Sequence, residues 1–223
     1  MGSPGPASVP VLVELFTSEG CSSCPPADAL LAELDSRQPV TGAQAIVLSE
    51  HVDYWNHDGW VDPFSSRAAT ERQEQYARRF GISGPHTPQM IVDGAEEFVG
   101  NNPRFAEAAI RSAAQKEKAG VRLIRQGASV RVEVDPLPAG KHRKAEVWVA
   151  AADESGTSNV KGGENHGRTL RHVAIVRQLR QAGTVSDQAG FRAEVPAAGA
   201  GRLIVFVQEP GNGRVWGVGE WRL

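Results

Sequence analysis

Apolar residues follow two rhythms along this chain, and the rhythm changes once. Val9-Pro10-Val11-Leu12-Val13-Glu14-Leu15-Phe16 is almost continuously apolar, which predicts a buried strand. Thr17–Gly20 has turn chemistry. Ala29, Leu30, Leu31 and Leu34 then repeat at helical spacing, predicting a helix from about Cys24 to Asp35 with its prolines confined to the first turn. Gln44–Ser49 reads as a second strand, and the β–α–β order predicts a parallel start to an α/β sheet. A polar helix over 66–80 stopped by Gly81, strands at Met90–Val92 and Glu97–Gly100 around an Asp93-Gly94 turn, and a helix from Pro103 to Lys118 follow.

From Val121 the pattern alternates in twos. Val130, Val132 and Val134 alternate with Arg131 and Glu133; short apolar runs at Val147–Val149, Val173–Val176, Phe191–Val195, Leu203–Val207 and Val215–Trp221 are separated by Gly, Pro and polar turns. This predicts an antiparallel β-sandwich of about seven strands. The expected organisation is therefore an α/β domain over 9–119 and an all-β sandwich-like domain over 120–223, with an aromatic, His- and Asp-rich insertion at about 50–65.

Composition narrows the function classes. The 223 residues are 40% hydrophobic and 22% charged, with net charge −2 and no basic block, which argues against nucleic acid as a partner. No run of about 18 apolar residues is present, so no membrane-spanning helix is expected. Met1-Gly2-Ser3 reads as an added start before a mature N-terminus; an exported protein whose signal peptide had been removed would look the same.

The chemistry concentrates at Gly20-Cys21-Ser22-Ser23-Cys24-Pro25-Pro26. These are the only two cysteines, and a random pair would have this spacing roughly one time in a hundred. A helix start supplies unpaired N–H groups and partial positive charge, favouring a reactive thiolate on Cys21. Cys21 is expected to be exposed and attacking, with Cys24 one turn into the helix, buried and resolving. The same pair could instead be half of a zinc site completed by His51, His57 or His86, or could hold a soft metal such as Cu(I) with His86 or Met90. No resident metal or cofactor is expected.

Strand–Cys21-x-x-Cys24–helix, then Gly84-Pro85-His86-Thr87-Pro88, then strand–turn–strand–helix resembles the thioredoxin-like superfamily over about residues 9–118. The resemblance implies thiol–disulfide exchange with protein or peptide thiols and an unidentified redox partner. It also implies a cis Thr87–Pro88 bond, with Pro88 over Cys21 and the Thr87 backbone offered to substrate. Glu14 falls, allowing one extra turn residue, where thioredoxins keep a buried acid that relays protons to the second cysteine; otherwise it points outward to solvent. Glu-Leu-Phe-Thr-Ser-Glu-Gly-Cys (14–21), His-Val-Asp-Tyr-Trp (51–55) and Gly-Glu-Asn-His (163–166) resemble a family of exported bacterial proteins known only as a domain of unknown function, which implies a periplasmic or secreted home.

In the His51–Phe64 segment, Tyr54 and Trp55 are expected to form a recognition wall, and Trp60 and Phe64 to pack beneath it. A metal site from His51, Asp53, His57 and Asp58 is the competing reading. Glu164 and Asn165 are expected to bond backbone groups and fix their loop against the first half. Arg171 and His172 are expected at the surface or an interface.

Overall fold

The computed structural model describes residues 8–57, 59–139, 144–196, 199 and 201–223, so Asp58 lies outside the described residues. The chain is mixed α/β, with a large mixed sheet and a smaller antiparallel one. Strand β1 (Val9–Thr17) leads into helix α1 (Pro25–Arg37), and β2 (Ala43–His51) returns parallel to β1. Helix α2 (Arg67–Phe80) starts at Ser66, whose side chain accepts a hydrogen bond from the Ala69 N–H, and ends at Gly81, whose φ of 66° suits glycine. The antiparallel pair β3 (Gln89–Val92) and β4 (Glu96–Val99) continues the sheet beyond β1.

Helix α3 (Pro103–Ala114) is shorter than its sequence pattern. Beyond it Lys118 turns inward to pair with the buried Asp93, and the Ala119 N–H donates to the Trp216 carbonyl. These tertiary contacts outweigh the helical propensity of the Gln115–Lys118 segment.

The second half contributes β5 (Val121–Gln126), β6 (Ser129–Val134), β7 (Lys144–Asn159), β8 (Thr169–Ser186), β9 (Phe191–Pro196), β10 (Arg202–Gln208) and β11 (Val215–Arg222). They do not form a sandwich apart from the first half. The large sheet runs β11-β10-β7-β8-β2-β1-β3-β4, with β8 joining β2 in parallel at Ser49–Ile175. The sandwich-like packing is nonetheless there: sheet β5-β6-β9 covers one arm of the large sheet, burying Val130, Val132, Val147, Val149, Val205 and Val207 between the layers.

Strands β7 and β8 span 16 and 18 residues, far beyond the short apolar runs that mark them. Their outer portions are polar, so backbone pairing rather than hydrophobic alternation defines them. Bulges in β8 at Ala182 and Arg177, opposite Val147/Trp148 and Ala151/Ala152 of β7, increase local twist. The far arm thereby curls back, and Ile204 and Phe206 pack on Leu12, Ile46 and Leu48.

Alternation along β1 divides the first half into two faces. Val11, Val13 and Leu15 pack under α1 and α3 with Leu30, Leu31, Leu34 and Ile110. Phe16, on the other face, meets Tyr76 of α2. Arg202 of β10, buried to 1% exposure, donates to both carboxylate oxygens of Asp35 at 2.7 Å and ties the second half to α1.

Candidate active site

Cys21 and Cys24 are joined by a disulfide between the end of β1 and α1. The Cys21 N–H donates to Ser18 O and the Cys24 N–H to Cys21 O, folding the motif into consecutive turns. Pro25 and Pro26 take the first helical positions, so Cys24 is the N-cap residue rather than one turn inside the helix. Cys24 O accepts from the Ala27 and Asp28 N–H groups.

Cys21 is not exposed: both cysteines are buried, at 1% and 0% exposure, while Ser22 and Ser23 face solvent. The cover comes from the tip between β7 and β8. Asn165 Nδ2 donates to the carbonyls of Glu19 and Cys21, each at 2.9 Å, and the Ser22 N–H donates to Glu164 Oε2 at 2.8 Å. This fixes the loop against the first half through backbone groups. Gly20 lies against Trp55; a Cβ there would meet Trp55 Cβ at 3.0 Å and its carbonyl at 3.1 Å.

The Thr87–Pro88 bond is cis, and Pro88 is buried. Thr87 adjoins the cysteine loop: Ser23 Oγ donates to Thr87 O at 3.5 Å, and Trp55 Nε1 donates to Thr87 Oγ1 at 2.8 Å. Trp55 also stacks against His57. Tyr54 turns toward α2 instead and donates to Gln73 Oε1 at 3.1 Å; burial pushes its pKa up to about 12. The His86 ring lies 3.4 Å from Glu97 on β4, and Met90 belongs to the core under α1 and α3. Among the described residues, no group of three or more His, Cys, Asp or Glu side chains is arranged to hold a metal ion.

Glu14 is fully buried but is not joined to the cysteines. Its position in the β1 alternation puts it on the α2 face, opposite α1. There it accepts from Arg72 Nε and Tyr76 OH, both at 2.6 Å. Arg72 also donates to Asn212 and Gln208. Glu50 completes this buried cluster; burial, with Glu14 beside it, raises its pKa well above the usual carboxylate range. A cavity of about 300 Å³ opens on the same side, lined by Glu50, Arg72, Trp148 and Leu179. The acid expected to relay protons is thus committed to a structural ion pair with Arg72.

A second buried polar network gathers around Glu19, two residues before Cys21. His172, on β8, is 2% exposed and lies where the second half meets the first, the interface alternative of its expected placement. Its Nε2 lies 3.1 Å from Glu19 Oε1 and its Nδ1 3.7 Å from Asp28 Oδ1. Burial alone lowers the His172 pKa, but the neighbouring carboxylates of Asp28 and Glu19 outweigh it and raise the value to about 9. Trp60 Nε1 donates to Glu19 Oε2 at 2.8 Å. His51 packs edge-on to His172 with centroids 4.5 Å apart, and its Nδ1 lies 2.7 Å from Asp62 Oδ2. Burial raises the Asp62 pKa, yet His51 and two backbone N–H groups hold it below its ordinary value. Phe64 closes the group, with ring centroids 5.4 Å from His51 and 5.6 Å from His172. The sequence signals for this network were the His51–Phe64 segment, Glu19 adjoining Gly20-Cys21 and a histidine entering an apolar strand.

Among solved structures, a crystal structure of a protein from Agrobacterium tumefaciens is similar: 28% identity, covering 97% of this chain and 95% of that one, with a TM-score of 0.81. HBP35 of Porphyromonas gingivalis shares the fold at 17% identity and a TM-score of 0.67, covering 97% of this chain and 76% of that one. No curated protein matches this chain in sequence. The model of a family described as "Protein of unknown function (DUF1223)" matches residues 12–208, and the chain belongs to that family.

Proposed function

We propose that this protein is a thiol–disulfide oxidoreductase of thioredoxin-like type, working through Cys21 and Cys24 on protein or peptide thiols in an exported compartment. The observation that carries the reading is the bonded Cys21–Cys24 pair at the start of α1. The helix N-terminus favours thiolate over thiol. A disulfide between the chain's only two cysteines suits an oxidising compartment such as the periplasm.

In the exchange, the Cys21 thiolate attacks a substrate disulfide and forms a mixed disulfide as the first substrate thiolate leaves. Cys24 then attacks Cys21 and releases the second. Two electrons pass from the cysteines to the substrate; the reverse sequence oxidises a dithiol. Ser22, Ser23 and Thr87 border the approach to Cys21, and Trp55 holds Thr87 in position. His86 and Tyr54, bonded outward and toward α2, have a secondary part in substrate contact.

A Cys24→Ser variant tests this. It should accumulate mixed disulfides with thiol partners, resolved by reductant and absent from a Cys21→Ser variant. Absence of both trapped adducts and dithiol turnover sinks the proposal.

A further inference from the structure

We propose that Asp28 accepts and returns the Cys24 proton during exchange, and that His172, contributed by the second half of the chain, is the positioning residue that holds Asp28 ready. This rests on the exchange reading above and adds the residues that serve its second step.

Asp28 lies four residues after Cys24 and donates its N–H to the Cys24 carbonyl, so the two share one face of α1. Helical side chains lean toward the N-terminus, which brings the Asp28 carboxyl back over the turn that holds Cys24. Asp28 is 6% exposed, and its Oδ1 has no hydrogen-bond partner. It faces His172 Nδ1, also without a hydrogen-bond partner, at 3.7 Å. Glu19 holds the opposite ring nitrogen.

The surroundings extend the same chemistry. Among the described residues, Thr17 Oγ1, Ser49 Oγ and His51 Nε2 are also buried and lack hydrogen-bond partners. Strand alternation assigns all three to the α1 face, with Asp28 and His172. With Asp28 Oδ1 and His172 Nδ1 these make five such atoms on the α1 face. The titratable groups facing His172 are Glu19 from the turn after β1, Asp28 from α1 and His51 from β2, the last paired with Asp62. Glu14, on the other face and bonded to Arg72, is excluded from this role.

After Cys21 has formed the mixed disulfide, the Cys24 thiol gives its proton to the Asp28 carboxylate. The Cys24 sulfur then bonds to Cys21, the bond from Cys21 to the substrate sulfur breaks, and the departing thiolate takes the proton. Charge and electrons balance without another reactant.

Reduced full-length protein mixed with dipyridyl disulfide releases pyridinethione twice, first through Cys21 and then through Cys24. Asp28→Asn and His172→Gln should each slow the second release about tenfold or more while leaving the first within about twofold. They should also displace the pH profile of the second phase. A second phase with wild-type rate and pH profile in both variants, or equal slowing of both phases, overturns the proposal. If His172→Gln does not fold, the isosteric Asp28→Asn decides. No release from wild-type protein in either phase overturns the exchange reading itself.

Discussion

Asn165 Nδ2 lies 2.9 Å from the carbonyl oxygens of both Glu19 and Cys21. One side-chain amide from the β7–β8 tip therefore clamps the chain on both sides of Gly20. Asn165→Ala leaves two buried carbonyls without that donor and should cost about 1–3 kcal/mol. It should also unpin the tip, so that Cys21 in the reduced protein alkylates faster with iodoacetamide. Urea titration reads the first effect and mass-spectrometric alkylation kinetics the second; an unchanged alkylation rate would show that the tip does not control access.

Gly20 is where the cysteine loop passes closest to Trp55. Gly20→Ala inserts a methyl at 3.0–3.1 Å from Trp55 Cβ and its carbonyl, closer than ordinary packing allows. A loss of about 1–3 kcal/mol is expected. Trp55 should be displaced from Thr87, visible as a change in near-ultraviolet circular dichroism.

The Glu14–Arg72 pair makes a contrasting prediction. Arg72→Met leaves Glu14 buried without its cation and should destabilise the fold by about 3–5 kcal/mol. Glu14→Gln should leave both phases of pyridinethione release unchanged, because its carboxylate sits on the opposite sheet face from α1. A selective slowing of the second phase by Glu14→Gln would return the proton relay to Glu14.

His172 links stability to pH. Its folded pKa of about 9 lies above the value of 6.5 for a free imidazole. The stabilisation is complete below about pH 6.5 and is lost as pH rises through about 9, with a magnitude on the order of 3 kcal/mol. Urea midpoints measured between about pH 6 and pH 10 should fall in the wild type and stay flatter in His172→Gln. Parallel curves would show that His172 does not carry this charge.

The first half was legible because its signals are local. The unbroken apolar run of β1, the spacing of Leu30, Leu31 and Leu34 and the Gly81 stop are read directly in the residues that form them. So was the three-residue spacing that lets Cys21 and Cys24 join in a disulfide. The lengths of β7 and β8 were not legible, because their polar outer portions are held by backbone pairing that leaves no apolar rhythm.

By itself, the sequence determined the secondary elements near the motif, the cysteine spacing and the change to β-structure after Val121. Tertiary structure decided which strands share a sheet, that Asn165 and Glu164 bond the backbone around Cys21, and which partners Glu14 and His172 meet. The reason is physical: periodicity records which residues are buried, but not which partners meet them. Glu14 and His172 are both buried polar groups in strands, and only the pairing of β8 with β2 and the facing of β1 determine that Glu14 meets Arg72 and His172 meets Glu19 and Asp28.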